Sequence, residues 1–96
     1  MQATLLNSDK AGKKMKVIVE NGNERKTIYF GDVNYSDYTM HKDPKRKELY
    51  INRHAANEDW KDPFTAGFWS RWILWNKPSL ADSKKATEKM FGIKIK

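Results

Sequence analysis

The chain contains no cysteine, which excludes disulfide bonds and any zinc site that needs a thiolate. No stretch approaches the roughly 20 apolar residues that span a bilayer. The first residues, Met1–Asp9, lack both the charged start and the sustained apolar segment of a secretory signal. We therefore expect a protein that is neither secreted nor embedded in a membrane, with one core in its 96 residues.

Motifs that would identify an enzyme are also missing. There is no nucleotide-binding glycine loop, no nucleophile elbow and no paired-histidine metal motif. The residues that could form an acid/base or metal site are His41, Asp43, His54, Glu58 and Asp59. The four-residue spacing of His54 and Glu58 permits a metal pair on a helix, but a histidine at a helix end is more often a packing or capping group. We expect no catalytic residue, no metal and no cofactor.

Positive charge is abundant, with a formal net charge of +7 at pH 7. Residues 1–31 hold six basic and three acidic side chains, residues 32–63 hold six and seven, and residues 64–96 hold seven and two. The excess of positive charge therefore lies in the first and the last third of the chain. It favours polyanions such as nucleic acid, and it serves equally well for solubility or for docking on an acidic protein.

The N-terminal third predicts a tail and a β-hairpin. Residues 1–14 are polar and basic, and we expect them to form a tail outside a single domain of residues 15–96. Terminal segments of this composition are ordered mainly where a partner surface or a neighbouring subunit holds them. Two β-rich segments, residues 15–20 and 24–31, flank Asn21-Gly22-Asn23, which favours a tight hairpin turn. At the other end, the alternation of Ile93–Lys96 can add a short strand to the hairpin edge.

Three helices are predicted after an irregular loop over Asp32–Lys42. Asp43-Pro44 and Asp62-Pro63 each combine a capping carboxylate with proline at the first helical position. Ser79 caps the third helix and Gly92 can end it. The first helix runs from about Pro44 to Ala56, and its inward candidates include Leu49, Arg53 and His54. The fold class is thus α+β, a hairpin with an optional third strand packed on three helices.

The second helix holds three of the four tryptophans. At 100° per residue, Phe64, Phe68, Trp72 and Trp75 form one stripe, and Trp69 lies to one side of it. Aromatic residues at this spacing are usually core. Because one side of a small domain can hardly bury all of them, we expect some to reach the surface and contact a protein partner. The residues proposed for that contact are Trp69, Arg71, Trp75, Tyr35 and Tyr38.

Basic residues on two helices support a different hypothesis, contact with DNA or RNA phosphates. The first helix and the segment before it supply Lys42, Lys45, Arg46, Lys47 and Arg53, and the third supplies Lys84 and Lys85. Glu48, Glu58 and Asp59 interrupt this charge, so an ordinary solvated helix face is the simpler interpretation.

A family resemblance adds to both hypotheses. It rests on a set of segments taken in order: Phe30-Gly31, Ser36–Thr39, His41–Asp43 with Arg46-Lys47, Tyr50–His54, and Thr65–Phe68 with Leu74-Trp75. In these segments, across about residues 15–80, the chain resembles small uncharacterised proteins of large DNA viruses of algae and amoebae and of tailed phages. The resemblance implies a viral protein without implying an activity.

The sequence therefore predicts a non-catalytic viral protein. The first hypothesis is a minor structural component of the virion, of the capsid or cement type, that contacts larger structural subunits. The alternative is a nucleic-acid-binding accessory protein. Either would be located in the virion or the host-cell cytoplasm.

Overall fold

The sheet has four strands in the order β3-β2-β1-β4. A computed structural model describes residues 1–96. The strands are β1 (Gln2–Asn7), β2 (Lys13–Asn21), β3 (Glu24–Asp32) and β4 (Lys94–Ile95). Strand β2 pairs antiparallel with both β1 and β3, whereas β1 and β4 are parallel. The combination of this sheet with separate helices is the predicted α+β fold.

The predicted hairpin is confirmed. Asn21 pairs with Glu24, so that Gly22 and Asn23 form a two-residue loop. Gly22 has a φ of 62°, the positive value that the first loop position of a type II′ turn requires. The same register pairs Val17 with Ile28, which places apolar side chains of both strands on one face.

The prediction that residues 1–14 form a tail outside the domain is wrong. Residues 2–7 form strand β1, which lies between β2 and β4, and Ala3 is buried. The terminus is thus held by backbone hydrogen bonds of the same chain and needs no partner to order it. The predicted C-terminal strand forms as β4, but it pairs with β1 rather than with the hairpin.

Four helical segments follow the hairpin. They are α1 (Tyr38–His41), α2 (Pro44–His54), α3 (Ala66–Trp69), which continues as a π-helical turn over Ser70–Leu74, and α4 (Leu80–Phe91). Asp43 caps α2 by accepting from the Lys45 N–H, with Pro44 at the first position, as predicted. Ser79 caps α4 and Gly92 ends it in the left-handed conformation, also as predicted. Helix α1 lies within the segment that was predicted as an irregular loop.

The tryptophan helix differs from its prediction in start and in period. Its cap is Thr65, which accepts from the Phe68 N–H, while the Asp62 carboxylate accepts from the Phe64 N–H in a preceding turn. Pro63 therefore lies before the helix rather than at its first position. The bond from the Trp75 N–H to the Ser70 carbonyl widens the last turn, so a regular 100° spacing does not describe which side chains face inward.

The helices cover one face of the sheet and form the core with it. The buried cluster is Ala3, Val17, Val19, Ile28, Phe30, Phe68, Trp69, Ile73, Leu74, Ile93 and Ile95. Helix α2 contributes little to burial, because Tyr50 is its only buried residue. The inward positions predicted for Leu49, Arg53 and His54 are wrong: Leu49 is 58% exposed, Arg53 is exposed and His54 is half-buried. None of the helices has the length and apolar character that a membrane crossing requires.

Candidate functional site

A cleft of about 960 Å³ opens between the end of β3, helix α2 and the start of α3. This volume is near the upper end of the range of about 300–1,000 Å³ that is usual for ligand clefts. The rim includes three exposed cations, Lys13 on β2 and Arg46 and Arg53 on α2. Arg46 and Arg53 are seven residues apart, about two helical turns, and therefore lie on the same side of α2.

A stack of aromatic rings forms one wall. The rings of Tyr50 and Trp75 are parallel, with centroids 4.3 Å apart. The His54 ring packs on Tyr50 at 4.4 Å, and the His41 ring packs on Trp75 at 5.3 Å. Burial, together with the negative charge of Glu58, raises the pKa of Tyr50 above its ordinary value. The stack ties α2 to the residue that follows the π-helical turn.

The predicted pair of His54 and Glu58 comes together in this wall. The distance from His54 Nδ1 to Glu58 Oε1 is 3.5 Å, and Trp60 Nε1 donates to Glu58 Oε2 at 2.7 Å. A Cβ at Gly67 would lie 3.0 Å from the Glu58 carboxyl carbon, so glycine is what admits the carboxylate here. A histidine beside a carboxylate can serve as an acid/base group. The same contacts also fasten the chain between α2 and α3, and nowhere do three potential ligands among His, Asp and Glu cluster as a metal site would require.

Carboxylates in the cleft are positioned inward and are already hydrogen-bonded. Lys14 Nζ lies 2.6 Å from the buried Asp37 carboxylate, which also caps α1 by accepting from the Thr39 N–H. Asp32, the exposed carboxylate, accepts from the Asn34 N–H. The outermost charges of the cleft are therefore mostly positive.

Most residues predicted for partner contact are buried or half-buried. Trp69 is fully buried and its Nε1 donates to the Pro63 carbonyl at 2.8 Å, so the expectation that it reaches the surface is wrong. Tyr38 is buried too. The Arg71 guanidinium lies 4.2 Å from the Trp72 ring centroid and donates to the Trp75 carbonyl at 2.8 Å. Trp75 itself is half-buried in the aromatic stack.

Tyr35 is the exception, with 71% of its surface exposed. It lies on the loop after β3 and lines the same cleft as Leu49 of α2, which is also exposed. The loop is held by the bond from the Tyr35 N–H to the Asp32 carbonyl at 3.1 Å. An exposed aromatic ring is thus presented by an ordered backbone at the mouth of the cleft.

The basic residues predicted for nucleic-acid contact separate into two groups. Lys42 donates to the carbonyls of Thr39 and Pro78, and Lys47 donates to the Asn76 carbonyl at 2.6 Å, so both lysines hold segments of the chain together. Burial, and next the charge of Arg71, lowers the pKa of Lys47. The others reach solvent: Lys45, Arg46, Arg53 and Lys85 are exposed, and Lys84 is half-buried. Only Arg46 and Arg53 of this set line the cleft, because Lys84 and Lys85 lie on α4.

Lys13 and Lys14 were missed by the sequence analysis, since their segment was predicted to be a tail. The alternating residues of Lys14–Val19 could have extended β2 to include them. Asp37 was missed as well. Its position two residues before Thr39 is typical of a helix cap, but a helix of four residues leaves no periodic signal.

Comparison with known proteins identifies the family. No curated protein and no solved structure matches the chain. A family model described as a family of unknown function, DUF5754, matches residues 3–54. The matched segment includes β1, β2, β3, α1 and α2, and therefore the α2 side of the cleft together with Tyr35. Because the match covers more than half of the chain, the protein belongs to the DUF5754 family of unknown function.

Proposed function

We propose that this protein is a non-catalytic nucleic-acid-binding protein that contacts phosphates through its exposed lysines and arginines. The observation that carries the proposal is a difference between the basic and the acidic side chains: few of the basic ones form ion pairs within the chain, whereas most of the acidic ones are bonded within the fold. Of the 19 lysines and arginines, only Lys14 and Lys16 lie within 4.0 Å of a carboxylate. The remaining cations form no ion pair within the chain.

The carboxylates, in contrast, are largely occupied within the fold. Five aspartates, at positions 32, 37, 43, 59 and 62, accept hydrogen bonds from backbone N–H groups two residues further along. Glu88 accepts from the Ile95 N–H at 3.0 Å, and Glu58 accepts from Trp60. Negative charge is therefore held close to the backbone, while the ends of many basic side chains extend into solvent. Such a surface attracts polyanions.

A salt titration tests the proposal. Phosphate contacts release counterions, so the affinity for a fluorescent 12-nucleotide DNA should fall steeply between 50 and 200 mM salt, with a slope of about −0.7 per contact for a single strand. Arg46→Gln with Arg53→Gln should reduce that slope by roughly 1–2. The matched control, Arg25→Gln with Lys94→Gln, removes two exposed cations that lie on the two edge strands of the sheet and do not line the cleft, and it should reduce the slope less than the arginine pair does. Absence of binding at 50 mM salt would reject the function.

A second candidate is the minor structural component of a virion suggested by the resemblance to viral proteins. The supporting observation is that Val33, Tyr35 and Met40 are all exposed within eight residues of the chain, which is a typical composition for a protein contact. In this hypothesis, the partner is a larger viral structural subunit and the location is the virion. Quantitative proteomics of purified particles distinguishes the candidates, because a structural component is recovered at a fixed copy number and an accessory protein in the host cytoplasm is not.

A further inference from the structure

Tyr35 and two arginines of α2, Arg46 and Arg53, line one cleft. The Tyr35 ring is 71% exposed, yet its backbone is fixed, because its N–H donates to the Asp32 carbonyl and the N–H of the preceding residue, Asn34, donates to the Asp32 side chain. Arg46 and Arg53 are exposed lining residues of the same cleft, about 10 Å apart along the helix at a rise of 1.5 Å per residue. Neither arginine has a carboxylate within 4.0 Å.

The distribution of charge separates the rim of the cleft from its interior. The exposed charges of the cleft are mostly cations, with Asp32 the one exposed carboxylate, whereas the Asp37 and Glu58 carboxylates lie further in, with 3% and 27% of their side chains exposed. A phosphate would be repelled from the interior and attracted to the rim. An uncharged group such as a base ring is not subject to this repulsion.

We propose that the cleft binds single-stranded nucleic acid, with one base stacked on Tyr35 and the flanking phosphates on Arg46 and Arg53. This inference rests on the proposed function and adds the strand preference. Aromatic rings beside a basic groove bind single strands because every unpaired base offers a face for stacking. In a duplex both faces of each base are covered by its neighbours, so Tyr35 would have no base to contact.

The test compares three forms of the full chain: the native protein, Tyr35→Phe and Tyr35→Leu. The probes are an unstructured 12-nucleotide DNA that carries one 2-aminopurine and a blunt duplex of the same sequence. We expect Tyr35→Leu to weaken single-strand binding about 5- to 100-fold and Tyr35→Phe to change it less than about twofold, because stacking needs the ring and not the hydroxyl. Duplex affinity should be the same for all three proteins, and quenching of 2-aminopurine should be lost in Tyr35→Leu alone.

The outcomes separate this inference from the proposed function. Salt-dependent binding that is equal for strand and duplex, or unaffected by Tyr35→Leu, overturns the single-strand site and leaves phosphate binding in place. If the native protein binds neither probe, both the single-strand site and the proposed function are rejected. Because Tyr35 is exposed, Tyr35→Leu should keep the thermal midpoint of the native protein, and a binding loss accompanied by a lowered midpoint would count against a direct role of the ring.

Discussion

The indole of Trp75 lies flat on the phenol ring of Tyr50, with the two ring planes parallel and the centroids 4.3 Å apart. Tyr50 is the only buried residue of α2, and Trp75 follows directly after the π-helical turn. This pair is therefore a principal connection between the helix that carries Arg46 and Arg53 and the segment that fills the core.

The Tyr50–Trp75 pair predicts a measurable coupling. Aromatic pairs of this geometry contribute about 0.5–1.5 kcal/mol beyond the area that they bury. A double-mutant cycle with Tyr50→Leu and Trp75→Leu, followed by urea unfolding, should give a coupling energy in that range. A cycle that combines Tyr50→Leu with Trp72→Leu serves as the control, because Trp72 packs instead on Phe91. Equal coupling in both cycles would show that the stack has no special contribution.

Trp69 should behave as a core residue. Its side chain is fully buried and its Nε1 donates to the Pro63 carbonyl. Trp69→Ala should therefore lower the free energy of unfolding by about 3–5 kcal/mol, a large part of the stability of a small domain. Tyr35→Ala, which removes an exposed ring, should change it by less than about 0.5 kcal/mol. Similar losses of stability for the two variants would contradict the burial of Trp69.

Gly31 is expected to be intolerant of alanine for two reasons. Its φ is 79°, and a Cβ there would lie 2.7 Å from Cδ1 of the buried Leu74. Gly31→Ala should destabilise the protein by about 2–4 kcal/mol, from backbone strain and overpacking together. Gly12→Ala is the matched control, with a φ of 85° and no atom within 4 Å of the new methyl group, and it should cost about 1–2 kcal/mol. If thermal unfolding shows equal losses of stability for the two variants, backbone strain alone is the cause.

His41 should make stability depend on pH. Burial, and next the charge of Arg46, lowers the pKa of this imidazole below its ordinary value of 6.5. The unfolded chain then takes up the proton at a higher pH than the folded chain, so the stabilisation is present above about pH 6.5 and is lost as the pH falls through the lower folded value. His41→Asn keeps an acceptor for the Asp43 N–H and removes the titration. Urea midpoints measured from pH 7.5 to 5 should therefore fall less in the variant than in the native protein.

Local signals were sufficient for some elements and not for others. The hairpin at Gly22 and the caps at Asp43 and Ser79 were predicted correctly, since each depends on residues within a few positions of one another. Strand β1 was missed because its polar composition gives no indication of the strands on either side of it. The start of the tryptophan helix was misplaced because Asp62 and Thr65 are both plausible caps, and tertiary packing selects Thr65.

The candidate site was predictable only in part. Arg46 and Arg53 were proposed from the charge of α2 alone, although Arg53 was also predicted, wrongly, to face inward. Trp69 was misassigned because the core formed with the sheet buries more of the aromatic segment than one side of a small domain was expected to bury. Lys13 lines the same cleft because strand pairing in the sheet brings it there. This relationship is long-range, and the spacing of residues along the chain does not predict it.

The parallel pairing of β1 with β4 sets the order in which the fold can be completed. The Lys96 N–H donates to the Ala3 carbonyl at 2.8 Å, and the Leu5 N–H donates to the Lys96 carbonyl at 2.9 Å. A ribosome therefore releases β1 long before the residues that cover its second edge have been made. The sheet stays open at that edge until residues 94–96 emerge, and closing so long a loop is slow compared with forming a helix. The growing chain is thus exposed to wrong strand pairing at this edge until β4 has been made.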